Sequence, residues 1–275
     1  MNLPTQLQSK TPLENGAIQR YAPSVFAARP HESRSAKYAY IPTIEILDGL
    51  RKEGFEPFFV AQSRCREEGR REYTKHMLRL RHASMSAVTA NKPEIPEVVL
   101  INSHDGSSAY QMTVGILRLV CTNGLIVGDI FDSIKVPHKG NVKDMVIEGA
   151  YEVLNSFDSI NNHVAAMKET RLTPAMAGAY AEAAITLRYD TETNPAPITP
   201  TQVLQPRRTA DISPDLWSTF NRVQENLVRG GLSAATARGR RTRTRAVNGI
   251  DQNVRLNRAL WTLTERMAEL VGGAA

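Results

Sequence analysis

The apolar pattern of the chain changes its period near Val142, and this change limits the chain to a fold with a strand-rich half and a helical half. Before it, short apolar runs such as Val98–Ile101 end in turn residues, which is typical of buried strands. After it, apolar residues recur every three or four positions from Val142 to Lys168, which predicts one long amphipathic helix. We therefore predict an α+β fold, with an N-terminal antiparallel sheet packed on a long helix and a helical C-terminal region.

Individual elements follow from the same patterns. Strands are predicted at 55–63, 74–83 and 98–101, and Asn123-Gly124 is the strongest hairpin dipeptide in the chain. The apolar residues 109–121 fit a strand or a helix equally well. Start and stop signals place helices at about 43–54, 173–188, 214–228 and 252–270.

Proline and glycine suggest where the regions of the chain begin and end. Four prolines in residues 1–32 indicate a flexible N-terminal arm. We expect a core domain at 33–190 and a proline-rich linker at 191–213. A helical region at 214–275 would carry an arginine-rich loop at 229–249.

Composition narrows the classes of function. The net charge of +6 favours polyanionic partners, and the two cysteines, Cys65 and Cys121, are too few for a disulfide framework. Phosphate-binding motifs of the GxxxxGK[ST] and GxGxxG types are absent, which argues against ATP-driven chemistry. A polar N-terminus and the lack of about 18 consecutive apolar residues predict a cytoplasmic protein with no membrane span. We expect no cofactor, no bound metal and no catalytic residue.

An arginine-rich segment is the first candidate site. Guanidinium groups bind phosphate oxygens in a bidentate manner, and a cluster of them without acids favours nucleic acid. A solvated basic loop or a contact to another subunit explains the same segment equally well. The arginines of this segment, which holds no acidic residue, are Arg229, Arg238, Arg240, Arg241, Arg243 and Arg245.

A second candidate lies on the predicted strand 74–83. The two-residue period of a strand puts Lys75, Arg79 and Arg81 on one face. Such a cationic face would form the floor of a groove for a single nucleic-acid strand, with Tyr73 or Tyr110 as stacking partners. A plain solvated sheet face is the alternative.

The turn that holds His104 and Asp105 supports a rival interpretation. A metal-dependent enzyme would use His104, Asp105 and His138, because imidazole and carboxylate groups bind metals. The same reading would draw on His76, His82 and Cys121, although no local ligand spacing links these residues. A structural turn and a buried cysteine explain them more simply. A protein–protein module that blocks a host defence system is a third interpretation.

Several separate motifs resemble one family of phage and plasmid proteins, the domain of unknown function 932. They lie in the sequences YIPT (40–43), KHMLR (75–79), VLINSHDGSS (99–108), RLVCTNGL (118–125), QENL (224–227), RGGL (229–232) and LNRALW (256–261). The resemblance spans about residues 33–270. It implies an origin on a mobile element and carries no known catalytic residues.

The same family is also remotely similar to phage single-strand annealing proteins of the RecT, Redβ and Erf type. This resemblance implies a homo-oligomer that holds single-stranded DNA in a basic groove without ATP. We therefore expect a single-stranded nucleic-acid-binding protein that anneals DNA in recombination, with RNA as an alternative ligand. The expected contacts are Lys75, Arg79 and Arg81 in the groove and the arginines of 229–245 as a flexible clamp.

Overall fold

A computed structural model describes residues 5–33, 40–65, 67, 69–85, 94–118, 123–126, 134–138, 140–236 and 239–272. Its contacts divide the chain into two compact units, Met1–Phe157 and Asp158–Ala275. The first unit contains an antiparallel sheet with helices, and the second is mainly helical, so the predicted α+β class is confirmed. The expected domain boundaries at 33, 190 and 214 stay a prediction.

The first unit is built on a curled antiparallel sheet. Its helices are α1 (Asn15–Tyr21), α2 (Thr43–Lys52) and α3 (Val142–Asn155). Its described strands are β1 (Gln6–Gln8), β2 (Phe55–Gln62), β3 (His76–His82), β4 (Glu94–Asn102), β5 (Tyr110–Arg118), β6 (Asn123–Ile126) and β7 (Ile134–Val136).

The sheet has a simple meander order from β1 to β6, and every described pairing is antiparallel. Strand β7 pairs with the start of β5, whereas β6 pairs with its end, so both lie on the edge of β5 that faces away from β4. Residues 109–121, which fit two interpretations, contain the strand β5. This topology places the start of β3 beside the end of β4, with His76 opposite Asn102.

One face of the sheet packs on helix α3, as the long-helix prediction requires. Leu78, Leu100 and Met112 lie on this face with at most 1% exposure. Gly149 of α3 lets the helix approach, because a Cβ there would collide with the Met112 side chain. Burial of this apolar face provides the main hydrophobic stabilisation of the first unit.

The N-terminal residues take part in the sheet. The sequence predicts a flexible arm over 1–32, but β1 pairs with β2 through Leu7 and Val60. Ile18 and Val25 are fully buried. Apolar residues between the prolines supply this attachment, so the described residues from Thr5 onward are part of the core instead.

The predicted helix from Val142 to Lys168 is interrupted at Ser156. Helix α3 ends at Asn155, and α4 (Phe157–Glu169) begins two residues later. The Ser156 hydroxyl donates to the carbonyl of Val153 at 2.7 Å. Such a side-chain bond competes with the backbone ladder of the helix, which explains the break.

The second unit contains helices and a small β-hairpin. Its further elements are α5 (Pro174–Thr186), α6 (Pro200–Leu204), α7 (Leu216–Arg229), β8 (Ser233–Ala235), β9 (Arg241–Arg243) and α8 (Ile250–Gly272). The Thr173 hydroxyl accepts a hydrogen bond from the Met176 amide and thereby caps the start of α5.

Aromatic residues of α7 and α8 form the core of this unit. Trp217, Phe220 and Trp261 contact one another with ring centroids 5.5 to 6.5 Å apart. The stretch expected to be a linker joins this core instead, because Ile198 is 5% exposed and Val203 is fully buried. Across both units, no described helix is long and apolar enough to span a lipid bilayer.

Candidate functional site

The arginine-rich segment forms a β-hairpin in the second unit. Strands β8 and β9 pair antiparallel, with Ser233 opposite Arg243 and Ala235 opposite Arg241. The turn is closed by a hydrogen bond from the Thr236 amide to the Arg240 carbonyl at 2.9 Å. The expected flexible loop is therefore an ordered two-stranded ribbon, in which the Arg-Thr alternation of 241–245 follows the two-residue period of a strand.

The hairpin is fixed to α7 at its base. The Gly231 amide donates to the Thr244 carbonyl at 2.8 Å, and the Val247 amide donates to the Val228 carbonyl at 2.8 Å. On the outer edge of β8, the Gln202 side chain donates to the Ser233 carbonyl at 2.9 Å. These bonds hold the hairpin at both strands, so its arginines project from a defined backbone.

Four of the predicted arginines are exposed on this hairpin: Arg240, Arg241, Arg243 and Arg245. Within the described part of the chain, none of the four pairs with a carboxylate. Arg241 and Arg243 share one face, about 7 Å apart at two strand residues. Their cross-strand partners, Ala235 and Ser233, are small and exposed, so the face carries a row of guanidinium groups beside a row of short side chains.

Arg229 has a different environment from the other arginines of the segment. It lies at the end of α7, and its guanidinium binds Glu225 Oε1 at 2.8 Å. Arg208 binds the same carboxylate oxygen at 2.7 Å, and Glu225 is 3% exposed. Arg207 donates to Asn226 Oδ1 at 2.6 Å and to the Gly230 carbonyl. Arg208 and Arg229 on one carboxylate, with Arg207 at Gly230, therefore leave net positive charge where the hairpin begins, and the pairing holds Arg229 in place. Arg238 lies outside the described residues.

The strand arginines correct the expectation of a solvent-facing cationic floor. Arg79 and Arg81 do share a face of β3, but Arg79 is 6% exposed and its Nε lies 2.8 Å from Glu97 Oε2. Arg81 Nε binds the other oxygen of Glu97 at 2.9 Å, and its guanidinium lies 4.0 Å from the centre of the Phe58 ring. Burial lowers the pKa of Arg79, and the Glu97 carboxylate opposes that shift.

The curl of the sheet explains this burial, since the face that carries Arg79 is enclosed as well as the face on α3. Gly115 and Gly124 lack the side chains that would occupy the space of the Arg79 guanidinium. Lys75 is half-buried and precedes β3. Of the two expected stacking partners, Tyr110 is fully buried and Tyr73 is half-buried.

A buried polar network in the first unit gathers several residues of the rival interpretation. The Thr43 hydroxyl, at the start of α2, lies 2.9 Å from His76 Nε2, 3.1 Å from His104 Nε2 and 3.1 Å from Asn102 Nδ2. His138 Nε2 lies 3.0 Å from Asn102 Oδ1. The structure therefore brings three histidines to one network. Asp105 instead accepts from the Ser107 amide, and His82 contacts the Glu53 carbonyl.

The proton positions in this network follow from the Gln62 side-chain amide, whose orientation is fixed by its own hydrogen bond. Gln62 Nε2 donates to the Arg71 carbonyl, so Gln62 Oε1 faces the Ser24 hydroxyl, which donates to it at 2.8 Å. Ser24 Oγ then accepts from His76 Nδ1 at 2.9 Å, which leaves His76 Nε2 as the acceptor for Thr43. Thr43 in turn accepts from His104 Nε2, and His104 Nδ1 is left as a buried acceptor with no hydrogen-bond partner in the described residues.

The same burial keeps these imidazoles neutral. Desolvation lowers the pKa of His76 to about 4. Desolvation, with His76 and His138 as further causes, lowers the pKa of His104 to about 2. Among the residues that can be described, no three His, Cys, Asp or Glu side chains are arranged to hold a metal ion. Cys121 lies outside the described residues.

Sequence reasoning missed the residues that link the buried histidines to one another and to the sheet. Thr43, Ser24 and Gln62 lie on three separate elements and have no shared motif. Glu97, by contrast, has a visible signal, because this acid directly precedes the apolar run Val98–Ile101 that predicts a buried strand. Glu225 is the corresponding buried acid of α7.

Comparisons with known proteins identify relatives of the whole chain. The family model described as "Domain of unknown function (DUF932)" matches residues 30–261. The chain is 51% identical over 256 residues to the UPF0380 protein YafZ of Escherichia coli (strain K12), which covers 93% of this chain and 92% of that protein. It has the same identity and coverage with the UPF0380 protein YfjQ of that strain. No solved structure matches the chain.

Proposed function

Since this chain belongs to the DUF932 family, whose description assigns no function, we propose its function from its own geometry: single-stranded nucleic-acid binding through the arginine hairpin. The observation that carries this proposal is the group of four exposed arginines on the ordered ribbon of β8 and β9, without carboxylate partners among the described residues. Arginines of this kind bind phosphate oxygens and release counterions from the nucleic acid.

The composition of the hairpin supports annealing over stable protection of the strand. Residues 229–249 contain no aromatic side chain and no acid. Proteins that hold single strands tightly stack bases on aromatic rings, whereas contacts to phosphates alone leave the base edges uncovered. Phosphate-only binding would keep the bases available to pair with a complementary strand. The remote resemblance to the RecT, Redβ and Erf type proteins points to the same activity, and we propose that it needs no ATP.

Self-assembly is part of the proposal. One hairpin offers only a few phosphate contacts, so a single copy would bind a strand weakly at moderate salt. Several copies on one strand would raise the apparent affinity through their effective concentration. Repeated hairpins would then follow the strand along an oligomer.

A binding and annealing assay tests this function. The affinity of the full chain for a labelled single-stranded oligonucleotide is measured at increasing salt, together with the native mass. Annealing of two complementary strands is followed without ATP. We expect binding that weakens steeply with salt and faster annealing than in buffer alone. Equal, salt-independent affinity for single-stranded DNA and for a neutral polymer would contradict the proposal, as would annealing no faster than in buffer.

A further inference from the structure

A cavity in the first unit lies beside the backbone of His104. Its volume is about 710 Å³, which is in the range of small-molecule sites. Two short stretches form its walls: residues 29–33, and the group Glu67, Gly69, Arg70 and Tyr73. The His31 amide donates to the His104 carbonyl and the His104 amide donates to the Tyr73 carbonyl, so one residue joins both walls.

Hydrogen-bond donors collect on these walls. Arg29 is exposed and forms no ion pair with any described residue. The Ser33 amide donates to His31 Nδ1, so a neutral His31 ring carries its proton on Nε2. The Tyr73 hydroxyl makes no hydrogen bond within the described ranges. A guanidinium, an imidazole N–H and a phenol O–H are thus present together, and these groups suit an anionic oxygen ligand.

The aromatic rings of His31 and Tyr73 also give the cavity a flat surface. The rings of His31 and Tyr73 meet edge to face, with centroids 5.3 Å apart and planes at 77°. In such an arrangement at least one ring keeps a face that its neighbour does not cover, and a planar base can stack there. Arg70 is held by Glu67 at 2.9 Å, and that contact raises the pKa of Arg70, so Arg29 is the available cation.

We propose that this cavity binds a nucleotide through a terminal phosphate monoester, with the phosphate at Arg29 and His31 and the base against Tyr73. The carboxylate of Glu32, which lines the same cavity, would accept hydrogen bonds from exocyclic amino groups of the base. The ligand is either a free mononucleotide or the 5′-phosphorylated end of a strand, since both present this chemistry. The site does not depend on the hairpin and goes beyond the proposed function.

Calorimetric titration of the full chain tests the site. The probes are inorganic phosphate, the four ribonucleoside monophosphates, and a dinucleotide with and without a 5′-phosphate. We expect at least one monophosphate to bind about tenfold more tightly than inorganic phosphate. A 5′-phosphorylated dinucleotide that binds as tightly as the monomer identifies the strand end as the ligand, and binding of the monomer alone identifies a free nucleotide.

Variants make the test specific. Arg29→Ala should weaken nucleotide binding about tenfold or more, and Tyr73→Leu about fivefold, through loss of the charge-assisted bond and of stacking. Arg20→Ala, an exposed arginine outside the cavity, is the matched control and should bind as the wild type does. No binding of any probe at millimolar concentration, equal binding of phosphate and nucleotide, or an equal loss in Arg20→Ala would overturn the proposal. Because Arg29 is exposed, its variant should keep the circular dichroism spectrum of the wild type.

Discussion

Gly230 packs directly against the main chain of Arg245: a Cβ built on the glycine would lie 2.7 Å from the carbonyl carbon and oxygen of Arg245. The glycine also has φ +66° and ψ −147°, a conformation that side chains strongly disfavour. Here the end of α7 meets the returning strand of the hairpin. The position of the exposed arginines therefore depends on Gly230.

Gly230→Ala should destabilise the second unit and weaken nucleic-acid binding. The added methyl group combines backbone strain with a steric clash, for which we expect a loss of roughly 1–3 kcal/mol in the free energy of unfolding. Gly231→Ala is the control, because Gly231 also has a positive φ but no atom within 4 Å of a built Cβ. Urea denaturation and oligonucleotide binding of both variants measure the effect. A larger loss for Gly231→Ala would contradict this account of the contact between Gly230 and Arg245.

Ala235→Glu should weaken binding by placing a carboxylate opposite Arg241. An acid at a directly opposed strand position pairs with the guanidinium and competes with phosphate. We expect about one phosphate contact fewer in the dependence of affinity on salt. Ala235→Gln, of similar size, should leave the affinity unchanged, and Ala179→Glu gives the same net charge on an exposed helix position. If all three variants bind alike, Arg241 does not contact phosphate.

Glu97→Gln should destabilise the first unit strongly. The change keeps the shape of the side chain but leaves Arg79 and Arg81 without their shared carboxylate in a buried site. Breaking a buried pair typically costs about 3–5 kcal/mol, whereas surface pairs contribute about 0–1 kcal/mol. Glu56→Gln removes the more exposed pair with Arg51 and is the control. Denaturant midpoints of the two variants should differ clearly, and similar midpoints would show that Glu97 is not needed to hold Arg79.

The first unit should lose stability as the pH falls. The unfolded chain protonates His76 near pH 6.5, but the folded chain does so only near pH 4. Between these values the unfolded state binds more protons, so the free energy of unfolding decreases by about 3 kcal/mol from pH 6.5 to pH 4 through His76. His104, with its pKa lowered to about 2, extends the loss in the same direction.

Urea denaturation between pH 7 and pH 4 measures this dependence. His76→Gln should flatten it, because the variant has no proton to take up at that position. His82→Gln, which removes a half-exposed histidine of the same strand outside this network, is the control. A slope that His76→Gln leaves unchanged would place the pH dependence elsewhere in the chain.

The fold class and most elements could be predicted from the sequence, because strand and helix periods depend on local spacing. The alternation that places Arg79 and Arg81 together is such a local property, and the structure confirms it. Whether that face meets solvent depends on the curl of the whole sheet, which no short segment specifies. Glu97 was the available signal, since an acid next to a buried apolar run needs a cation to pair with it.

The candidate sites also combine features that local sequence predicts with features that depend on distant contacts. The arginines were visible as a cluster, but glycines around them suggested a loop, although the Arg-Thr alternation of 241–245 fits a strand. The histidine network joins Ser24, Thr43, His76 and Asn102 from four elements, and only its histidines and the turn at its end were candidates in the sequence. Contacts between distant segments decide such networks, so sequence spacing cannot reveal them.

The salt dependence of single-stranded DNA binding by a hairpin variant tests the central claim most directly. Arg240, Arg241, Arg243 and Arg245 are changed to alanine together, and a control variant loses the exposed arginines Arg20, Arg64, Arg255 and Arg266 instead. Both variants have the same net charge, so only the position of the charges differs. We predict that the hairpin variant loses about 3 units from the slope of log affinity against log salt, near 0.7 for each phosphate contact, and that the control keeps the slope of the wild type. Equal slopes for the two variants would contradict the claim that this hairpin binds the strand.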